Sequence, residues 1–576
     1  MGLLNSSLQI GRSAILAYQG ALQTIGSNVS SAGSPDYTRL APQLDPIPGS
    51  IIGNGLQPGA GAALTDIRRY IDDALEDRLR LATGATQAAL ARQSGLSQVE
   101  AFLDDAGGAG VSSRIAGFFQ AFDTLQNTPE DRAVRDLTIA AGDQLAASLS
   151  TLRSQFSQLG ADIDGQIGDM VKQADDLARE IADLNSRITT SEAGRRGQAT
   201  ALRDQRDAAL RSLGELMDVT VREQPDGAIN VYVASEALIQ GNTVRGLISV
   251  TELDGEFSRT AVRFADTNQE IQLRGGRLAG LIRSRDVDAY GQVAGLDQLA
   301  AALIAEVNRI HADGQGLNGY TSVVGGFDVL SAGAALNGTQ AGLVSPPRNG
   351  SFYITVSDTA TGTPLAYRIE VNFDDPATAT TLQSLVDDIN AQVQNITASV
   401  TSDNRLAFAA EEGFEFSFGH DGQAFREDTS GVLAALGVNA FFTGSDARTI
   451  AVTDALHADS RLLAAASVFL PGDGENARRI ASLDTQASAL LSESSISGFY
   501  SSMVTDVAVT AGGNNSDVNA LGSVESALQA QKESISGVNL DEEAISLVKF
   551  QRAFQGAARF VSVVDELIGE LVTLIR

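Results

Sequence analysis

Cysteine and tryptophan are both missing from this chain of 576 residues. The absence of cysteine excludes disulfide bonds, thiolate zinc sites and cysteine nucleophiles. Aromatic residues make up only 5% of the chain, which argues against an aromatic ligand pocket. The three histidines, His311, His420 and His457, are far apart in sequence and lack the spacing of a zinc motif. We therefore expect ordinary core or surface histidines and no metal site.

Positive charge is also scarce. Lys and Arg number 41 against 71 Asp and Glu, which gives a formal charge of -30. Such a chain is repelled by nucleic acid phosphates and by anionic lipids, so we expect neither nucleic acid nor a membrane as a partner. The N-terminus has no long apolar core with a small-residue cleavage site, and no stretch reaches the roughly 20 apolar residues that cross a bilayer. We expect no cleaved signal peptide and no transmembrane helix.

No motif of catalysis or cofactor binding is complete. Residues 274–280 place two glycines at a spacing like that of a phosphate loop, but Leu281 and Ile282 stand where lysine and a hydroxyl residue would hold phosphate and magnesium. Asp162 and Asp164 lack the further ligands of a calcium loop. A Gly-x-Ser-x-Gly elbow is absent as well. We expect a protein that is not an enzyme, with no catalytic, cofactor-binding or metal-binding residues.

Heptad patterns occupy both ends of the chain, and each predicts a helix with an apolar face. The N-terminal pattern stops at Gly33 and Pro35, because proline lacks an amide hydrogen and restricts its predecessor. A loop rich in proline and glycine is expected from there to about Gly61. Acidic residues 541–543 lie where the C-terminal helix should begin, a position that the helix dipole favours. The residues of the two patterns, here called the terminal seams, are Leu4, Leu8, Ile15, Tyr18, Leu22, Ile25 and Val29 with Leu547, Phe550, Phe554, Val561, Val564, Ile568, Leu571 and Ile575.

We interpret the terminal seams as an assembly interface. Helices of this kind are marginal alone in water and become ordered when their apolar faces meet partners. Gly11 occupies a seam position at a cost of about 1 kcal/mol relative to alanine, which makes sense where another helix approaches closely. The periodicity favours contacts between chains over an intrachain pair. The heptad of residues 162–190 is interpreted instead as the core of one domain.

The middle of the chain mixes helical and alternating patterns. Valines and isoleucines alternate on both sides of Pro225-Asp226-Gly227, which predicts a hairpin over 219–233. Residues 321–450 predict an inserted, mostly β domain with one helix at 381–393. Further helices are expected at 72–105, 112–160, 162–190, 202–217, 278–312 and 474–536.

The predicted fold class is α+β and multidomain, with a terminal coiled coil, a long helical bundle and an inserted, mostly β outer domain. The predicted domains are residues 1–60 with 525–576 for assembly, residues 61–320 with 451–524 for the helical bundle and its β-hairpin element at about 218–275, and the surface-exposed residues 321–450.

Residues 27–39, SNVSSAGSPDYTR, resemble the signature of bacterial flagellar axial proteins, with Asp36 in place of the usual glycine and Ser30-Ser31 in place of Ala-Asn. Other segments resemble, within that group, the hook-associated protein 1 family of the hook–filament junction. These segments are residues 201–207, 216–221, 276–286, 296–314, 436–444, 537–543 and 550–551. Together they span nearly the full length except the body of the predicted outer domain.

The resemblance implies a structural component of the bacterial flagellum, extracellular at the hook–filament junction and exported unfolded through the flagellar type III apparatus. It implies that the termini form a coiled coil lining a tube and that subunits assemble as a ring or short helical layer. The implied partners are further copies of the chain, hook protein, the second junction protein and an export chaperone on the C-terminal helix. Two alternatives stay open: another axial protein such as hook protein, and a secreted adhesin or enzyme displayed through residues 321–450.

Overall fold

A computed structural model describes residues 2–34, 37–49, 59–104, 110–193, 197–468 and 470–574, with the side chains of residues 2–5 and 571–574 left out. The chain forms two compact units. Unit one comprises Met1–Ser94, Ala161–Ser284 and Gly512–Arg576, and unit two comprises Gly95–Gly160 and Arg285–Ala511.

The α-helices, in chain order, are α1 (Gly2–Ser30), α2 (Asp73–Leu103), α3 (Val111–Asn127), α4 (Arg132–Ser191), α5 (Thr200–Leu216), α6 (Gly276–Arg283), α7 (Tyr290–His311), α8 (Leu382–Gln392), α9 (Val432–Ala435), α10 (Asp454–Ala458), α11 (Glu475–Ala481), α12 (Ile496–Ser536) and α13 (Leu540–Leu574). The strands are β1 (Leu40–Pro48), β2 (Gly59–Arg69), β3 (Val219–Glu223), β4 (Ile229–Val233), β5 (Glu236–Gln240), β6 (Thr243–Val244), β7 (Leu247–Asp254), β8 (Phe257–Phe264), β9 (Ser322–Val324), β10 (Gly350–Asp358), β11 (Pro364–Val371), β12 (Ile396–Val400), β13 (Leu406–Ala410), β14 (Phe414–Phe418), β15 (Phe442–Thr443) and β16 (Ala451–Val452).

The loop expected up to Gly61 is wrong for much of its length. β1 and β2 pair antiparallel, from Leu40 opposite Arg69 to Pro48 opposite Gly59. Three prolines in β1 made this segment resemble a loop, but in a sheet of two strands every strand is an edge, and proline is tolerated on an edge strand where its nitrogen faces away from the partner. The hairpin packs on α1, where a Cβ at Gly20 would lie 2.6 Å from Leu64.

The helix break predicted near Gly160 is also wrong. α4 runs through that position, and the break lies earlier, between α3 and α4, at Pro129. Proline has no amide hydrogen to continue the ladder, and Asp131 accepts a hydrogen bond of 2.8 Å from the amide of Ala133 in the new first turn. Gly160 serves packing instead, because a Cβ there would overlap the ring of Tyr290.

Unit one contains the predicted hairpin. β3 and β4 pair from Val219 opposite Val233 to Glu223 opposite Ile229, and Gly227 has a left-handed φ of 89° in the turn. β3 to β6 form a four-stranded antiparallel sheet in chain order, beside the separate pair β7–β8. The heptad of residues 162–190 is core, as predicted: Ile167 and Ile181 are fully buried.

The predicted strands and helix of residues 321–450 are confirmed. β10 pairs with β11 and β14 in one sheet, and β13 pairs with β12 and β9 in another. α8 begins after Thr381, whose hydroxyl accepts a hydrogen bond from the amide of Ser384 in a capping box. A shared apolar core joins these elements and includes Phe352, Phe408 and Phe416.

The fold class, α+β and multidomain, is confirmed, whereas the division into three domains at the stated boundaries stays a prediction. The continuous helical region expected over 474–536 is wrong in one part. Between α11 and α12 the chain forms two short 3₁₀ helices, Ser482–Asp484 and Ala489–Leu491. Ser492 and Glu493 then adopt left-handed φ values, 54° and 63°, which interrupt a right-handed helix directly before α12.

Candidate assembly surface on the terminal helices

α1 and α13 pack against each other in unit one. Gly11 lies beside Val561, and a Cβ at Gly11 would overlap the Cγ2 of that valine. Farther along α1, the rings of Tyr18 and Phe550 have centroids 6.5 Å apart. Since residue numbers rise along one helix as they fall along the other, the pair is antiparallel. The glycine in the seam is thus explained by a close helix approach.

Most terminal seam residues with described side chains face this pairing. Ile25 and Val564 are buried, whereas Val29 is 42% exposed. The half-buried members are Leu8, Ile15, Tyr18, Leu22, Leu547, Phe550, Phe554, Val561 and Ile568. The side chains of Leu4 and Leu571, and Ile575 as a whole, lie outside the described residues.

An intrachain pair of the two seams is present in the structure, and Ile25 and Val564 are buried in it. The assembly role of the terminal seams between chains stays a prediction. Periodicity identifies the apolar face of a helix but not the molecule that covers it, and the two ends happen to be complementary.

A second apolar face of α13 was missed by the sequence analysis. Its members, here called the exposed stripe, are between 43% and 71% exposed. At 100° per residue they fall within an arc of about 120° that is centred about 130° away from the terminal seam. Phe560 lies at the border of this arc, and its ring also reaches Gly11 of α1. The exposed stripe consists of Ile545, Val548, Phe560, Val563 and Leu567. Lys549 and Arg552 interrupt its spacing, which hid it from a search for heptads.

Polar side chains tie the two helices together at one end. The carboxylate of Glu543, 1% exposed, accepts 2.8 Å from Nε of Arg39 and 3.0 Å from Nδ2 of Asn28. Asn28 is fully buried and also exchanges two hydrogen bonds with the backbone of Leu40, of 2.8 and 3.0 Å. The hydroxyl of Tyr37 donates 2.9 Å to Oδ1 of Asn28. The signature of residues 27–39 therefore supplies three groups of one buried network, and Glu543 does more than favour the helix dipole.

The segment 201–207 builds a second charged network in unit one. Arg203 donates from Nε to Glu192 at 2.8 Å and from Nη2 to the other oxygen at 2.9 Å, a bidentate pair. Burial raises the pKa of Glu192, but the hydrogen bonds from Arg203 and from backbone amides outweigh it and lower the pKa to about 2. Arg69 on β2 pairs with Asp204 at 2.9 Å and with Asp207. This network connects the hairpin β1–β2 to α5.

The glycines of residues 274–280 have a packing role. Gly276, with a φ of 80°, lies against the backbone of Leu216 and Met217, and a Cβ there would overlap it. A Cβ at Gly280 would overlap the carbonyl of Ala88. These contacts account for the glycines without a bound phosphate.

The histidines of unit two make structural contacts. Nδ1 of His311 lies 2.7 Å from the carbonyl of Asn439, and Nε2 accepts 3.0 Å from the amide of Ala464. Nε2 of His420 lies 2.8 Å from the hydroxyl of Ser417. Burial lowers the pKa of His311 and that of His420 to about 4. His457 is exposed beside Asp143.

The described part of the chain holds no group of three or more His, Cys, Asp or Glu arranged to bind a metal ion. None of its helices combines the length and the apolar character needed to span a bilayer.

Known proteins of one kind are similar to nearly the whole chain. Residues 96–324 match the family described as flagellar hook-associated protein FlgK helical domain, and residues 529–574 match flagellar basal body rod FlgEFG protein C-terminal. Flagellar hook-associated protein 1 of Escherichia coli is 28% identical over 99% of this chain and 100% of its own length. The proteins of that name from Salmonella typhimurium and Bacillus subtilis are 26% and 21% identical, over 99% and 98% of this chain and 100% and 97% of their own lengths.

A solved structure shares the fold. The flagellar hook junction protein FlgK from Burkholderia pseudomallei matches with a TM-score of 0.50 at 15% identity, over 80% of this chain and 100% of that one.

Proposed function

This chain belongs to the flagellar hook-associated protein 1 family, and we propose that it is the non-enzymatic structural adaptor that joins hook to filament in the flagellum of its bacterium. The similarity to proteins of that name along 99% of the chain carries this proposal. The relatives named above give no support to the two alternatives, another axial protein such as hook protein and an adhesin displayed through residues 321–450.

The exposed stripe of α13 is the proposed contact between neighbouring subunits. Its five side chains leave an apolar face in water, and such faces mark interaction sites. One face of α13 is covered by α1 in the same chain, so the opposite face is available to a different molecule. Contacts between unlike patches of identical subunits close into a ring or continue as a helix, which suits an adaptor that forms a limited layer.

In this proposal the terminal seams stabilise the helix pair that carries the exposed stripe. They hold α1 on α13, so a polar substitution in a seam disturbs the surface that the pair presents. The further partners that we propose are hook protein on one side of the layer, the second junction protein on the other, and an export chaperone that covers the C-terminal helix before assembly. We propose export without a cleaved signal peptide and a final location outside the cell.

The test is electron microscopy of purified hooks incubated with the full-length chain or its variants. The parent chain should add a short, self-limited layer at one hook end, and a chain lacking residues 1–40 and 537–576 should add none. Val563→Asp with Leu567→Asp introduces two charges into the exposed stripe, so it should reduce occupied hook ends at least about tenfold, since charges are disfavoured at an interface core.

Leu253→Asp is the matched control. Leu253 is 83% exposed and lies on the hairpin β7–β8, so the substitution puts a charge on an exposed leucine of a different element. This variant should bind hooks like the parent, and circular dichroism should show unchanged helix content in both variants. Equal binding by the stripe variant and the parent would refute the role of the exposed stripe, whereas failure of the parent chain to bind would refute the junction function itself.

A further inference from the structure

The terminal seams are repetitive, so apolar contacts alone allow more than one register of α1 on α13. Leu8, Ile15 and Leu22 recur every seven residues, as do Phe554 and Val561. A slip by seven residues moves one helix about 10 Å along the other and again sets apolar side chains opposite each other.

Gly11 permits close packing but does not select the register. In the structure it accommodates Val561. After a slip by one heptad it would face Phe554 or Ile568 instead. A position without a side chain leaves room for each of these residues, so something else must choose among the registers.

The buried network of Asn28, Arg39 and Glu543 is specific to one register. Asn28 and Glu543 lie opposite each other and are joined by a hydrogen bond of 3.0 Å. Arg39 bonds Glu543 at 2.8 Å and also pairs with Glu542 at 2.9 Å, and its amide donates 3.0 Å to the carbonyl of Ser536. The network therefore fixes both the start of α13 and the segment that follows α1.

A slip would leave these buried groups without their partners. In one direction Asn28 would face the ring of Phe550, and in the other Glu543 would face Ala21. A buried carboxylate that loses its hydrogen-bonding partners is strongly disfavoured. In coiled coils a single buried asparagine specifies register in this way, at some cost in stability.

We propose that Asn28, Arg39 and Glu543 are positioning residues that set the register of α1 on α13. The register decides which side chains of α1 lie beside each part of α13, so it determines the surface that the terminal pair presents. This inference does not rest on the proposed function, because the register can be measured on the free chain.

Engineered cysteine pairs measure the register without background, since the natural chain has no cysteine. Gly11→Cys with Val561→Cys reports the register of the structure. Gly11→Cys with Phe554→Cys, and Gly11→Cys with Ile568→Cys, report slips by one heptad in either direction. Both pairs also carry Val561→Ala, which makes room for the new side chain in the register of the structure. After mild oxidation of the full-length chain, only the first pair should form a disulfide within one chain.

The network is then replaced by apolar residues, with Asn28→Leu, Arg39→Met and Glu543→Leu. Such replacements of buried charges often keep stability, so helix content should persist while the slipped disulfides rise about tenfold or more over those in the parent. Thr24→Val is the matched control: Thr24 is also buried on α1, but its hydroxyl bonds Gly20 of the same helix at 3.0 Å. This control should give only the disulfide of the structure.

Exclusive formation of the Gly11–Val561 pair in the apolar variant, with its helix content retained, would overturn the proposal. So would the absence of that disulfide in the chain with its network intact. If the apolar variant loses its helix content, Asn28→Ala with Glu543→Ala is measured in its place and judged by the same outcomes.

Discussion

Replacing Gly11 by alanine tests how closely α1 and α13 approach. The new Cβ would overlap Cγ2 of Val561 and lie 3.2 Å from Cδ1 of Phe560. Val561 cannot turn away easily, because a β-branched side chain in a helix has one strongly preferred rotamer. Overpacking of this kind costs about 1–3 kcal/mol, whereas alanine gains about 1 kcal/mol over glycine inside a helix. The expected net effect is a destabilisation of the helix pair by about 0–2 kcal/mol.

Gly26 is the matched control on the same helix. A Cβ there would meet nothing within 4 Å, so Gly26→Ala should stabilise α1 by about 1 kcal/mol. Hydrogen exchange of α1 amides measures the free energy of local opening and suits a chain of several units better than global unfolding. A second substitution, Val561→Ala, should relieve the clash, which gives a coupling of about 1 kcal/mol or more with Gly11→Ala. Equal stabilisation by Gly11→Ala and Gly26→Ala would refute the close approach.

Three further predictions concern buried charges. Burial raises the pKa of Asp313 to about 7. The free energy of unfolding of unit two should therefore fall by up to about 4 kcal/mol as pH rises from 4 through 7. Urea titrations should show this fall for the parent and not for Asp313→Asn. Glu192, with a pKa lowered to about 2, should stabilise unit one above pH 4.5. This stabilisation, at most about 3 kcal/mol, should be lost as pH falls from 4.5 through 2. Glu192→Gln should remove that pH dependence, and a variant whose stability falls in acid like that of the parent would refute it. Arg135 is fully buried and donates to the carbonyls of Pro129 and Leu463, both at 2.6 Å. Arg135→Met should therefore lower the free energy of unfolding of unit two by about 3 kcal/mol, measured in urea. A change below about 1 kcal/mol would contradict the role of these bonds.

Local signals were enough for several elements. The hairpin β3–β4 has Gly227 in the left-handed turn that its sequence requires, and α8 has a capping threonine directly before it. The hairpin β1–β2 was missed because Pro42, Pro46 and Pro48 favour a loop locally. Only the two-stranded arrangement, in which every strand is an edge, makes these prolines acceptable.

The sequence predicts which face of each terminal helix is apolar, but it does not predict which residues of α1 and α13 contact each other. The heptads gave the correct apolar sides of α1 and α13, since period alone fixes a face. The bond between Asn28 and Glu543 joins residues 515 positions apart, and nothing local marks either of them as a partner of the other. The exposed stripe was missed for a different reason: its members are separated by basic residues and do not follow a strict heptad.

One apolar face of α13 is covered by α1 and the other stays exposed to solvent, and this difference connects folding of the chain to the proposed assembly. The seam face is covered only when α1 is present, so without α1 the helix would expose apolar side chains on opposite sides and be marginal in water. With α1 bound, five exposed apolar side chains of α13 form the exposed stripe. A surface that takes its final form only when both ends of the chain have paired cannot recruit neighbouring subunits before that point. The buried polar network at the start of α13 is therefore as important to the proposed assembly as the apolar stripe, although no network atom needs to touch a neighbouring subunit.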